Sequence, residues 1–419
     1  MWGRKEWVLL LIVFLIHLPF TRVVVDTNDG SRMAAVQSVV ENGTFVIEDS
    51  YFFSTTDKVL INGRFYSDKP PLSYLIAVPL YFAMYHLGLP FTPRGGIAYG
   101  LITWLTSGLA VSVMLVLFFQ FLSRYKLTTR QRLLYTIALG FGTQLFPYSL
   151  TYNNHALGAA LIFFAYLAIQ RAKTSRQLFL SGLLSGFTAA IDLVAGGIFT
   201  VLFAMHVWSR VGTKKAAFFV AGAAAFPVLG LLLNFAISGS VAYFSSTPAY
   251  WDYPGSVLNT EAKTIAGAVA NTPAEALRYM GPMFFSWKHG FVNLNLILLF
   301  GIAGIILALR NKAYRLEASI ICVGAACALL YYIFRTGNYG GCGWGFRYPV
   351  PLIPLLFLYA PLVFQRCDKW QQPLRMLFFA VLAASIIITA FSVFDPWTCN
   401  PGKLIIRAVE TFIIPLFTQ

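Results

Sequence analysis

An all-α polytopic membrane bundle of about eleven crossings, with further helices at its outer face, is the fold class this sequence predicts. Three observations carry it. Hydrophobic residues make up 58% of the 419-residue chain and charged residues only 11%, with a mean hydropathy of +0.68, which is more apolar sequence than a globule can hide. Apolar runs of ~20 residues, matched to a bilayer core, recur from end to end. Basic residues collect on alternate connections between them.

The spans read as 7–25, 98–122, 133–152, 155–170, 178–193, 194–209, 216–236, 291–309, 316–334, 349–364 and 375–394. The first lacks a small-residue cleavage site and is too long for a removable leader, so it reads as a retained helix. With the N-terminus inside, more than half of the 31 lysines and arginines fall on inner segments, accompanied only by Glu6, Glu317 and Asp368. The outer side nets zero. The overall charge of +15 therefore reports topology, and nucleic acid falls away as a partner. Leu72–Leu89 is not counted, because a crossing there would place the Arg124–Arg132 cluster outside. It reads instead as an interfacial or re-entrant helix.

Residues 1–419 read as one integral membrane domain with no separate soluble domain. Polar sequence concentrates in a first outer loop over 26–97, a second over 237–290 and a glycine-rich stretch at 335–348. Chemistry is expected there. In the first loop Met33, Val36, Val39 and Val40 recur at helical spacing and Asn42-Gly43 suits a C-cap, predicting a surface helix over about 30–41. In the second, an aromatic stretch (Tyr243, Phe244, Tyr250, Trp251, Tyr253) precedes a helix expected around Glu261 to Met280; the aromatics fit an interface belt or a sugar-stacking platform. Cys322 and Cys327 fall within a span and Cys367 on the inner side, while Cys342 and Cys399 share the outer, oxidising side and can bridge. No cysteine or histidine cluster has zinc spacing, and Gly340-Gly341-Cys342-Gly343-Trp344-Gly345 lacks the Lys-Ser/Thr of a P-loop.

The first loop opens on Asp26-Thr27-Asn28-Asp29-Gly30-Ser31-Arg32 and closes on Asp68-Lys69-Pro70-Pro71. Charges held at a headgroup surface are costly and so point to a working site. Asp29 also fits a helix N-cap, and Lys69 a snorkelling anchor, although the double proline stiffens Lys69 beyond an anchor's need. Asn154 and His155 lie at an outer turn. Asp192 sits between two apolar runs, where a carboxylate is either functional or a paired structural group. Arg347, after the glycine-rich stretch and directly before a span, is placed to fork onto a phosphate.

In this order the elements resemble the GT-C class of polyprenyl-phosphate-sugar-dependent glycosyltransferases, in particular the protein O-mannosyltransferase and aminoarabinose transferase group. Asp29-Gly30-Ser31-Arg32-Met33 is similar to that group's Asp-x-x-Arg/His-aromatic opening, with methionine for the aromatic residue, and Lys69-Pro70-Pro71 to its Lys/His-Pro-Pro closure. Gly345-Phe346-Arg347-Tyr348 looks like a motif of bacterial relatives. Where the group often has an aspartate at the next outer turn, this chain has Asn154-His155.

The resemblance implies sugar transfer from a polyprenyl-phosphate donor to an acceptor hydroxyl of a glycan, lipid or protein. It also implies an integral plasma (inner) membrane protein working on its extracytoplasmic side. Phosphate leaves as an anion without an acid, so one base and a cationic clamp suffice. Asp29 is the expected base, with Asp26 the alternative. Lys69 and Arg347 are expected to grip one donor phosphate, with Arg32, Asn154, His155 and Asp192 lining the same site. A single base opposite the leaving group gives inversion. No cofactor or metal is required, although a carboxylate pair can bind a divalent cation incidentally. The rival class is a transporter or flippase of lipid-linked sugars, which would carry its ionisable residues at the bilayer midplane.

Overall fold

The computed structural model describes residues 3–256, 272–336, 339–365 and 371–408. Among them the chain is helical nearly throughout, with one two-stranded hairpin. Among the described residues five helices are long and apolar enough to cross a membrane: Gly96–Tyr125, Leu193–Val211, Thr213–Ser238, Arg315–Arg335 and Gln371–Val393. The remaining expected spans fall on shorter helices, such as Arg4–His17, Asn154–Arg171, Ser175–Ile191 and Leu298–Leu309, or on broken ones.

The segment 349–364 shows why. Pro349, Pro351, Pro354 and Pro361 each remove an amide donor, and the run divides into Val350–Leu352, Ile353–Leu356 and Leu362–Gln365. Residues 349–363 are all buried, so this broken backbone is covered by protein rather than lipid. Leu72–Leu89 likewise divides, into Pro71–Leu75 and Val78–His86, each far short of a bilayer at ~1.5 Å per residue.

The chain groups into two compact units, one of residues 17–110 and 149–268, the other of 1–16, 111–148 and 269–419.

In the first unit, helix Thr27–Asn42 starts on a reciprocal cap. The Asp26 side chain accepts the Thr27 amide while Asp29, at the third helical position, accepts the Asp26 amide; Gly43, at φ +66°, ends the helix. The cap is thus Asp26, and Asp29 its partner. This helix does not lie on a surface as expected, since Asn28–Ser38 are buried. Ala34 and Ala35 pack in one core cluster with Tyr74, Tyr81 and Tyr99.

Strands β1 (Lys58–Ile61) and β2 (Arg64–Ser67) pair antiparallel around Asn62 and Gly63, at φ +52° and +77°. The pairing of Lys58 with Ser67 brings Asp57 and Asp68 to the same open end. Val59 and Ile61 pack this hairpin on Phe244 and Trp251. Four helices follow, Asn154–Arg171, Ser175–Ile191, Leu193–Val211 and Thr213–Ser238. The second and fourth approach so closely that a Cβ on Gly182 or Gly222 would stand 2.1 Å from the carbonyl oxygen of Phe219 or Phe179. Asp192 alone separates the second helix from the third.

In the other unit Thr128 and Gln131 cap helix Thr129–Phe141 reciprocally, and Glu317 accepts from both Arg124 and the Tyr359 hydroxyl at 3.1 Å. Of the helix expected around Glu261 to Met280, residues 261–271 lie outside the described residues; the described helix is Pro273–Phe285, which starts on a reciprocal cap of Thr272 and Glu275. Cys367 and Asp368 also lie outside them.

Candidate active site

Asp29 has no solvent-exposed surface. One carboxylate oxygen accepts the Asp26 amide at 3.0 Å and the other accepts the Tyr99 hydroxyl. Burial pushes its pKa up to about 7, the nearby Asp26 charge adds to the rise, and the Tyr99 hydrogen bond opposes it. A carboxylate so tuned loses its proton near neutrality, which is what a general base for an alcohol needs. Asp26, three residues earlier, is exposed.

The first turn of this helix also reaches the lysine. Ser31 donates to Asp68 at 2.9 Å and lies 2.7 Å from the Ser67 hydroxyl. The Lys69 ammonium donates to Asp57 at 2.6 Å and to Asp68 at 2.9 Å, and Asn28 donates to Asp57 at 3.2 Å. Burial raises the pKa of Asp68, and the Asp57 charge raises it further against the pull of Lys69. Lys69 is therefore held between two carboxylates, with one more N–H of its ammonium to offer.

Arg32 continues this network inward. It is 2% exposed and donates to the Asn28 carbonyl and side chain at 2.9 and 2.8 Å, and to Asn154 at 2.6 Å. Asn154 in turn donates to Asp192 at 3.0 Å, and His155 Nδ1 lies 3.2 Å from the same carboxylate oxygen. Asn153 caps the Asn154–Arg171 helix and so sets where Asn154 and His155 point. Arg32, Asn154, His155 and Asp192, expected to line the donor site, are thus bonded to one another. With Arg32, His155 and Asp192 buried, the four brace the helix that carries Asp29.

Arg347 belongs to the other unit. Its guanidinium donates to the Cys342 carbonyl at 2.8 Å and lies over the Trp397 and Tyr348 rings, 5.3 and 5.9 Å from their centroids. A Cys342–Cys399 disulfide, with Cα atoms 4.1 Å apart, ties its loop to the segment after the last span. Two backbone bonds, Gly343 to Thr398 at 3.0 Å and Trp344 to Pro396 at 2.9 Å, run beside it. Without reductant, a maleimide on the denatured protein is expected to leave Cys342 and Cys399 unlabelled, and labelling of both would rule the bridge out.

No protein-family model matches this sequence, and no curated protein does. Solved structures do. ArnT from Cupriavidus metallidurans bound to undecaprenyl phosphate aligns with a TM-score of 0.57 at 14% identity, over 94% of this chain and 70% of that one. In the apo state ArnT aligns at 0.54 and 13% identity, over 93% of this chain and 64% of the other. The fold is similar to that of ArnT. With its apolar helices, this makes the chain an integral membrane protein of GT-C-like fold, as the order of its motifs implies.

Sequence reasoning missed Asp57, and it quoted Asp68 without assigning it a role. The signal was present as Asn62-Gly63 between Lys58-Val59-Leu60-Ile61 and Arg64-Phe65-Tyr66-Ser67, a hairpin pattern that places Asp57 opposite Asp68 and beside Lys69.

Proposed function

We propose that the chain is a membrane glycosyltransferase that moves a sugar from a polyprenyl-phosphate donor to an acceptor hydroxyl on the extracytoplasmic face, with inversion. One observation carries the reading. The first turn of a single helix holds a carboxylate poised near pH 7 and, through Ser31, contacts the carboxylate pair that grips Lys69. Base and cation, the two groups such a transfer needs, stand together. A likeness of fold to a protein bound to undecaprenyl phosphate supports the same donor class.

In this mechanism the acceptor oxygen attacks the anomeric carbon on the face opposite the phosphate. The new C–O bond forms as the old one breaks, the phosphate oxygen keeps the electron pair, and the acceptor proton passes to Asp29. Lys69 offers its remaining N–H to the departing phosphate, while Asp57 and Asp68 hold the ammonium in place. Arg347, in its own unit, is assigned to anion binding by its fork geometry.

The test is release of free polyprenyl phosphate from a labelled panel of donors by the purified protein. Acceptor-dependent release is expected; donor movement across a vesicle membrane without release would mark a flippase and overturn the reading. Lys69→Met is expected to raise the donor KM ~10-fold or more, the loss of one charged hydrogen bond, and Asp57→Asn to raise it less. Unchanged donor KM in both variants removes Lys69 from the phosphate site.

A further inference from the structure

A cavity of about 290 Å³ opens beside the start of the Thr27–Asn42 helix, and Asp26, Thr27, Gly30, Tyr51, Ser54 and Thr55 are among its walls. It has three chemical properties. Its accessible surface is chiefly polar, and it holds one carboxylate and no basic side chain. Tyr51 presents a ring that is 53% exposed. Its walls are fixed, since the Tyr51 amide donates to Gln37 at 3.0 Å and the Thr55 hydroxyl to the Thr27 carbonyl at 2.7 Å.

These properties select a ligand. An exposed carboxylate in walls that carry no basic side chain disfavours a phosphate or an acidic sugar and accepts from hydroxyls. The volume is at the small end of the ~300–1,000 Å³ of ligand pockets, enough for one ring and too little for a lipid chain or a peptide. The exposed phenol supplies the flat apolar face on which the C–H side of a pyranose packs. Gly30, which lines the cavity, is the chain neighbour of Asp29.

We propose that this cavity is the subsite for a neutral sugar ring of the acceptor, making the acceptor a glycan rather than a lipid or a protein. Its role rests on the glycosyltransferase reading; its binding does not. Asp26 and Ser54 would hold the ring's hydroxyls and Tyr51 its face, with one hydroxyl turned toward Asp29.

The probe is a set of methyl glycosides of neutral hexoses, with methyl glucuronide as the charged control. Saturation-transfer NMR reads their binding to the purified full chain in nanodiscs. Neutral rings are expected to receive saturation and the glucuronide less. Tyr51→Ala is expected to weaken binding roughly 5- to 10-fold, and Tyr51→Phe to restore it. No saturation of any neutral ring, or equal binding by Tyr51→Ala, overturns the site. With donor present, the methyl glycosides are expected to become glycosylated without raising the donor KM. Competition with the donor would assign the ring to the donor sugar and overturn the acceptor assignment. Ring binding with no donor cleavage at all would support the site and overturn the glycosyltransferase reading instead.

Discussion

Asp29→Asn is expected to lower sugar transfer by ~10²–10⁴-fold in a protein that remains folded, the usual contribution of a general base. The amide oxygen can still accept the Asp26 amide, so the helix keeps its cap while the proton acceptor is lost. The pH dependence should change as well. In the wild type kcat/KM should rise with pH and level off above about 7, as Asp29 loses its proton. Tyr99→Phe removes the hydrogen bond that holds this pKa down and should move the rise to higher pH. If Asp29→Asn keeps near-normal turnover while Asp26→Asn loses it, the base is Asp26.

The same titration bears on stability. Asp29 has its folded pKa above its ordinary carboxylate value of 3.8, so its contribution is fully present below about 3.8 and is lost as pH rises through about 7. The difference is ~4 kcal/mol at most. Thermal melts of Asp29→Asn between pH 4 and 8 should be flatter than those of the wild type, and parallel curves would show that Asp29 titrates normally.

Arg32→Ala is expected to destabilise the protein by ~3–5 kcal/mol, the range for removing one charge from a buried, hydrogen-bonded network. Asn28 and Asn154 lose their donor together, and Asp192 loses the cation two bonds away. Arg32→Lys should recover little, because one ammonium does not reproduce a planar fork bonded in two directions. Melting in detergent measures both variants; a wild-type midpoint for Arg32→Ala would show that the helix does not depend on this brace.

The parts of this molecule that sequence made legible are those written in short local patterns. Asp29, Arg32 and Lys69 stood out because charge beside a membrane span is costly and therefore noticeable. The C-cap at Gly43 was legible for the same local reason. Asp57 was not, since its partnership with Lys69 exists only after the hairpin folds. The burial of Asn28–Ser38 was hidden too, because the tyrosines that pack with Ala34 and Ala35, at 74, 81 and 99, are distant in sequence. The prolines of 349–364 were visible, but hydropathy averages over them, and a broken run scored as one crossing. That His155 and Asp192 meet was not legible either, since 37 positions separate them and only the fold brings the ring nitrogen to the carboxylate.

The division of the chain also has a consequence for biogenesis. Asp29, Arg32, Lys69, Asn154 and Asp192 all belong to the unit that ends at residue 268. Every residue of that network has left the ribosome before the last third of the chain is made, and the N-terminal portion can organise first. The Arg347 loop obeys a later clock. Its disulfide partner lies 57 residues downstream, so the loop closes only after the final span has been threaded and Cys399 has met an oxidant. Closure of the Arg347 loop therefore comes after the Asp29 network can form, and a cell that fails to oxidise the pair would accumulate molecules in which this loop is not tied to the segment after the last span.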